Sequence, residues 1–299
     1  MNVGKAGYLG PKATFTHLAV QAVLPGEEHI PYATIPACID AVEQKELDFG
    51  LVPLENAFEG TVNLTLDYLI HEKRLPIVGE IVTPIRQHLM VHPHNADRWE
   101  EIEKVYSHSH ALAQCHKFFR SHFLSIPLEG VISTAFAAQH VQQHPERLIG
   151  AIANEFAAKE YGLKIVHENV HDYNYNTTRF IMICRDAHDI PVSNQGIEHY
   201  KTTLMVTLPS DQAGSLHQVL AAFSWRKLNL SKIESRPMKT GLGNYLFIID
   251  INQRLDDILI PGAVSELESL GCTVHILGSY PCFALKTTEK KRRPPSNYE

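Results

Sequence analysis

Four short stretches in the first part of the chain place hydroxyls, amides and small residues between an apolar run and a helical pattern. They are residues 10–16 (GPKATFT), 55–61 (ENAFEGT), 107–110 (SHSH) and 133–135 (STA). Such residues have two uses at a strand-to-helix turn. A Ser, Thr or Asn side chain can cap the helix by accepting from a free backbone N–H. The same turns can also line a ligand site, because ligands of open α/β sheets collect beyond the carboxyl ends of the strands, where helix N–H groups favour anions. Capping suffices for any one turn taken alone; four converging turns suit a small carboxylate. A fifth stretch, residues 174–183 (NYNTTRFIMI), sets a polar run with an arginine directly before a buried-looking strand. Arg179 could hold a carboxylate in a two-pronged geometry that lysine does not reproduce, with the Thr178 hydroxyl beside it. It could equally pair with a structural acid at the strand start. The pattern alone leaves both open.

The elements around these stretches are of two kinds. Strand-like runs at 3–9, 49–54, 105–108, 130–133, 148–153 and 179–184 alternate with helical patterns, one after Thr14 and another over about 63–71, which predicts an α/β architecture. Runs at 77–93 and 162–170 are plausible crossovers between two lobes. Residues 186–200 are polar, carry Pro191 and Gly196, and read as a linker. Beyond them come a strand at 202–208, a helix at 214–227 and a strand at 229–237. A turn at 241–243, a strand at 245–251, a helix at 256–270 and a strand at 272–286 follow. This β-α-β-β-α-β order is ferredoxin-like. A small sheet of this kind leaves one face in search of cover, often by a partner chain.

Composition sets the bounds. The chain has 299 residues, 44% hydrophobic and 20% charged, with a net charge of −6, which is ordinary globular composition and a poor footprint for nucleic acid. No apolar run approaches the ~18 residues of a membrane helix, and no secretory leader is visible at the N-terminus. Lys290, Lys291, Arg292 and Arg293 lie in a Pro-rich tail, 287–299, expected to be a disordered end. Cys38, Cys115, Cys184, Cys272 and Cys282 are odd in number and lack CxxC spacing, so reduced thiols and a cytoplasmic location are expected. His92 with His94 and His108 with His110 lack metal-ligand spacing, and neither GxGxxG nor HExxH occurs, so no metal or cofactor is expected.

Taken in order, the motifs resemble the prephenate dehydratase family. GPKATFTH is similar to its GPxGTFSH turn, VPLENAFEGTV to VPIENSxxGxV, YSHSHALAQC to SHPQALxQC, STAFAA to STAxAA, and NTTRFIMI to the N-x-TRF signature. AGSLHQVLAAFSWRKLNLSKIESRP resembles the GAL and ESRP pattern of an ACT domain, and the resemblance spans roughly residues 3–283. Departures are Ala13 for Gly, Ala57 for Ser or Thr, Ser109 and His110 for Pro and Gln, and Ser215 for Ala.

The resemblance implies two α/β lobes around a cleft over 1–185, of the periplasmic-binding-protein type, then an ACT domain over 201–286. It implies conversion of prephenate to phenylpyruvate, water and CO2 without a cofactor. Thr178 would assist the leaving hydroxyl, and Glu55 would orient the site or join a proton relay, a structural carboxylate being equally open. Arg179 would bind a substrate carboxylate, with Asn56, Thr14, Ser107, Gln114, Ser133, Thr134 and Asn176 as polar contacts. Phenylalanine, as allosteric effector, would bind near Gly214, Ser215, Leu216, Glu234, Ser235, Arg236 and Pro237, between two copies of the chain in a homodimer or homotetramer. No chorismate mutase region precedes the motifs, so a monofunctional protein is expected. Arogenate dehydratase and a non-catalytic amino-acid or keto-acid sensor are the alternatives. The sensor would have no use for the Thr178 hydroxyl.

Overall fold

The computed structural model describes residues 4–123, 125–186, 196–210, 212–239 and 245–285. The expected tail, most of the expected linker and the expected turn at 241–243 lie outside the described residues.

The first lobe opens with β1 (Lys5–Leu9), α1 (Phe15–Val23), β2 (Glu28–Tyr32), α2 (Ile35–Glu43), β3 (Phe49–Asn56) and the two-residue β4 (Gly60–Thr61). α3 (Asn63–Asp67) then runs into a π-helical turn at Tyr68–Glu72, followed by β5 (Ile77–Pro84). The helices start where a side chain satisfies a free N–H: Thr14 accepts from His17 N at α1, and Thr34 from Ala37 N at α2.

The chain crosses to the second lobe over residues 85–87, inside the expected crossover run. There it forms β6 (His88–Val91), a 3-10 segment (Pro93–Glu101), β7 (Lys104–Ser107), α4 (Ser109–Ala113), α5 (His116–His122) and β8 (Leu128–Gly130). It continues with α6 (Thr134–Gln143), β9 (Ile149–Ala153), α7 (Glu155–Glu160) and β10 (Lys164–His167). β10 pairs with β6, so the second crossing overlaps only the end of the expected 162–170 and runs over 168–176. β8 lies earlier than the expected 130–133, because Ser133 turns out of the strand to cap α6. β11 (Thr177–Cys184) returns to the first lobe, between β3 and β5.

The C-terminal part comprises β12 (Ile197–Thr207), α8 (Ser215–Ser224), β13 (Leu230–Pro237), β14 (Tyr245–Ile251), α9 (Leu259–Ser269) and β15 (Thr273–Ala284). This is the ferredoxin-like order. β12 starts inside the stretch read as linker, since residues 197–200 pair with 281–283 of β15.

The second lobe has its own sheet, in the order β10-β6-β9-β7-β8. The other sheet is shared: it runs β13-β14-β12-β15-β5-β11-β3-β1-β2, with β4 paired to β3. The C-terminal strands join the first lobe through a parallel pair that sets Cys282, Phe283 and Ala284 opposite Glu80, Ile81 and Val82.

Successive strand residues face opposite sides, so each sheet face has its own core. In the first lobe, Phe180, Met182, Leu51 and Tyr8 pack with Ala19 and Val20 of α1. The other face sets Ile181 and Ile183 with Cys38, Ile39 and Val42 of α2. That second core continues into the C-terminal part, where Met205, Leu246, Ile248 and Tyr280 join Leu66, Leu69, Ile70 and Leu75. The sheet face expected to seek a partner chain is therefore packed on the first lobe of the same chain. Its other face holds Val219 and Phe223 of α8 and Ile260 and Leu267 of α9.

Candidate active site

The ends of β3 and β5 and the start of β11 lie side by side, with Thr178 in register with both Asn56 and Thr83. Residues in register share a face, so Asn56, Thr178 and Thr83 form a row at the strand ends beside the crossovers. The row continues toward the second lobe. Asn56 Nδ2 donates to Thr178 Oγ1 (2.9 Å) and to Asn176 Oδ1 (2.9 Å), and Asn176 Nδ2 donates to Gln114 Oε1 (2.9 Å). Asn56 belongs to the first lobe, Asn176 to the second crossover and Gln114 to the end of α4. Four sequence candidates thus form one hydrogen-bonded chain from lobe to lobe.

The direction of this chain is fixed at its root. Asn56 Oδ1 accepts from the backbone N–H groups of Phe58 (3.0 Å) and Glu59 (3.1 Å), so its NH2 group must face Thr178 and Asn176. Thr178 Oγ1 is then an acceptor from Asn56, and its own hydrogen is left for another partner. At the far end Gln114 accepts through Oε1, which leaves its NH2 group as donor. Both spare donors suit an oxygen carrying negative charge.

The remaining hydroxyls of the candidate set serve the scaffold. Thr14 Oγ1 accepts from His17 N (3.2 Å) and donates to Leu9 O (3.1 Å). Ser107 is fully buried and donates to Ile152 O (2.7 Å), inside the second sheet. Ser133 Oγ accepts from Phe136 N (3.0 Å) at the start of α6, where Thr134 is the first helical residue. Capping thus accounts for Thr14 and Ser133, yet each cap sits at a helix start whose other early N–H groups remain available.

Arg179 and Glu55 do not join the row. Each is adjacent to a member of it and so faces the opposite side, where Arg179 Nη1 donates to Glu55 Oε2 (2.7 Å). Burial works to raise the Glu55 carboxyl, but Lys232 and Arg179 beside it win and hold it below its usual range. Arg179 meets the same contest with the opposite sign. Burial works against its charge, and Glu80 and Asp250 more than restore it.

The lobes also touch around the turn at 10–14. Ala13 has φ +64, the left-handed region that suits glycine, and its N–H donates to His17 Nδ1 (3.0 Å). Asn154 caps α7 and donates from Nδ2 to Ala13 O (3.1 Å). Burial, with His29 and Lys12 adding to it, pushes His17 down to about 4, so the neutral ring is the acceptor that Ala13 needs. At the mouth, His110 Nδ1 lies 3.2 Å from Glu59 Oε2, between exposed side chains.

Comparison with known proteins gives the family. The prephenate dehydratase (PDT) family model matches residues 6–188. A prephenate dehydratase of Bacillus subtilis is 59% identical over 284 residues, covering 94% of this chain and 100% of the relative. The chain belongs to the prephenate dehydratase family. A solved prephenate dehydratase from Arthrobacter aurescens, in complex with L-Phe, superposes with a TM-score of 0.80 at 32% identity, covering 92% of this chain and 89% of that one. A solved chain described as a quorum quenching acylase, GqqA, also reaches a TM-score of 0.80, at 25% identity over 93% of this chain and 98% of its own.

In this prephenate dehydratase family member, the C-terminal candidates have two settings. Gly214, at φ +91, precedes α8, Ser215 opens that helix, and Leu216 stands exposed in its first turn. On β13 the side chains alternate: Ser235 and Pro237 are exposed, whereas Glu234 and Arg236 turn to the first lobe. Glu234 Oε2 accepts from Thr61 Oγ1 (2.7 Å), and Arg236 Nη1 donates to Asn63 Oδ1 (2.7 Å) and its guanidinium pairs with Asp67. Sequence reasoning missed Glu80, Lys201, Lys232 and Asp250. Their signal was a lone charge inside a strand pattern, as in IVGEIVTP and YLFIIDI.

Proposed function

We infer that the chain converts prephenate to phenylpyruvate, water and CO2, in phenylalanine biosynthesis. Membership of the family, at 59% identity to a full-length prephenate dehydratase, carries this reading. The relatives favour neither arogenate as substrate nor a sensor without catalysis.

The Thr178 hydroxyl, its oxygen held by Asn56, donates its hydrogen to the leaving hydroxyl of the ring. A threonine is far too weak an acid to give up its proton unaided, so water or a neighbour resupplies it in the same event. Gln114 offers its NH2 group to a substrate oxygen. The two substrate carboxylates are best met by the early N–H groups of α1 and α6, one helix from each lobe. Loss of CO2 and water makes the ring aromatic, which supplies the driving force, so the protein has only to orient the substrate and ease departure of the hydroxyl.

Phenylalanine acts as effector at the segments that open α8 and end β13, in an assembly of at least two chains. The solved relative in complex with L-Phe supports this assignment. Lyase chemistry and a cytoplasmic location complete the reading. The five cysteines are all free and buried, and among the described residues no helix is long and apolar enough to cross a membrane. The test is phenylpyruvate formation from prephenate by purified protein, with and without phenylalanine. Turnover suppressed by phenylalanine is expected. No turnover on prephenate by folded protein overturns the enzyme reading, and turnover indifferent to phenylalanine overturns the effector.

A further inference from the structure

On the face of β11 opposite Thr178, six charged side chains from both parts of the shared sheet come together. The Arg179 guanidinium donates to Glu55 of β3 (2.7 Å), Glu80 of β5 (2.6 Å) and Asp250 of β14 (2.8 Å). Lys201 of β12 reaches Glu80 Oε1 (2.7 Å), and Lys232 of β13 reaches Glu55 Oε2 (3.1 Å). The side chains of Glu80 and Asp250 are 1% and 2% exposed. Asp250 is further held by Thr203, whose Oγ1 donates to Oδ1 (2.7 Å). These six balance in charge among themselves, Lys232 also meets a further carboxylate, Glu234 (3.0 Å), and each member is costly to bury singly.

This cluster bears on the site in two ways. A substrate carboxylate at Arg179 would have to compete with three carboxylates already held at 2.6–2.8 Å, two of them buried. In addition, the β3–β11 register shifts between Arg179 and Phe180, so the ladder is irregular one residue from Thr178. Thr178 stays paired with Asn56 and with Thr83, so the irregularity lies on the β3 side only, just past Arg179, where the ion cluster adds its own ties.

We propose that Arg179 is a positioning residue, and that Asp250 of the C-terminal sheet, by clamping Arg179, holds the Thr178 hydroxyl in place for catalysis. The C-terminal part is then a piece of the active-site scaffold as well as a receiver of effectors. The proposal rests on the role of Thr178 given above, and exchange data separate the two.

The test compares Asp250→Asn and Arg179→Lys with the parent protein, in steady-state kinetics on prephenate and in hydrogen–deuterium exchange of the peptide spanning residues 176–181. Asp250→Asn should lower kcat by about tenfold to a hundredfold, the scale of an ångström-sized misplacement. KM should stay within about twofold, since uniform binding is untouched. Exchange at 177–180 should accelerate. Arg179→Lys should show the same kcat loss, because an ammonium cannot serve three carboxylates in fixed directions. An Arg179→Lys variant with raised KM and retained kcat would make Arg179 a substrate ligand and sink the proposal. Unchanged kcat and unchanged exchange in Asp250→Asn would sink it as well. If Asp250→Asn does not fold, Thr203→Val loosens the same carboxylate more gently, and a normal kcat there counts against the proposal. If the parent protein does not act on prephenate, the functional reading fails by itself, and exchange at 177–180 still decides whether Asp250 holds β11.

Discussion

β11 presents two neighbouring residues to two unlike surroundings. Thr178 joins a neutral hydrogen-bonded chain of amides whose last donors are unspent. Arg179 gives one Nη1 and both Nη2 N–H groups to three carboxylates, and its buried Nε finds no partner among the described residues. The contrast separates two jobs that a motif read as a string runs together. Groups that act on a ligand keep a donor free for it; groups that hold the scaffold commit most of theirs to charged partners inside the protein.

The sharpest way to break this comparison is to remove the reserved donor. Thr178→Val keeps the shape and loses the hydroxyl. It should cost about 10²–10⁴ in kcat, as general-acid assistance does, while thermal unfolding shows a fold that is intact. Full turnover with normal KM would mean that Thr178 is another scaffold residue.

The second removal is on the other face. Arg179→Met leaves buried Asp250 without its cation, while Glu80 keeps Lys201, and should cost about 3–5 kcal/mol of stability, read from denaturant unfolding, because a buried pair broken on one side leaves a charge uncompensated. A loss below about 1 kcal/mol would show that water reaches the cluster.

Acid should distinguish the regions as well. His17 lies below its usual 6.5, so its contribution to stability is fully present above that pH and is lost as pH falls toward about 4. Glu55 is also depressed, so its contribution is present above the ordinary carboxylate range and is lost only below it. Unfolding temperature measured from pH 7 to 3.5 should therefore fall in two stages. His17→Gln should flatten the earlier stage and cost about 1–3 kcal/mol at pH 7, since the buried Ala13 N–H loses its acceptor. A single late fall in both proteins would remove His17 from the account.

The smallest effect belongs to the mouth. Glu59→Gln breaks an exposed contact with His110 and should change stability by no more than about 1 kcal/mol, checked by the same unfolding curves. A large change would mean that the mouth is closed more firmly than the exposure of the pair suggests.

Much of the two lobes was legible because their turns carry local signals. Thr14 and Ser133 mark helix starts, and the apolar run after Thr178 marks a strand. The row of Asn56, Thr178, Asn176 and Gln114 was legible as a set of candidates, although its direction was not. That depends on two backbone N–H groups in the turn after Asn56, which no spacing rule reports. The placement of Arg179 was one of two readings left open, and strand alternation decides it once Thr178 is placed. The joined sheet was not legible at all. Pairing of β5 with β15 links residues some two hundred positions apart, and an edge strand does not announce its partner. The same blindness hid Asp250, whose meaning lies in a residue of another lobe.

The parallel seam between β5 and β15 has a consequence for how the protein is made. β15 is the last strand in the described chain, so on the ribosome the first lobe waits with β5 uncovered until nearly everything else has emerged. During that interval β5 offers an open edge, which invites pairing with other chains, and Glu80 lacks Lys201. Closure of a loop this long is also slow. Assembly of the sheet is thus a late check on completeness: a chain cut short before β15 would leave the first lobe with an exposed, sticky border, and quality control could recognise it there.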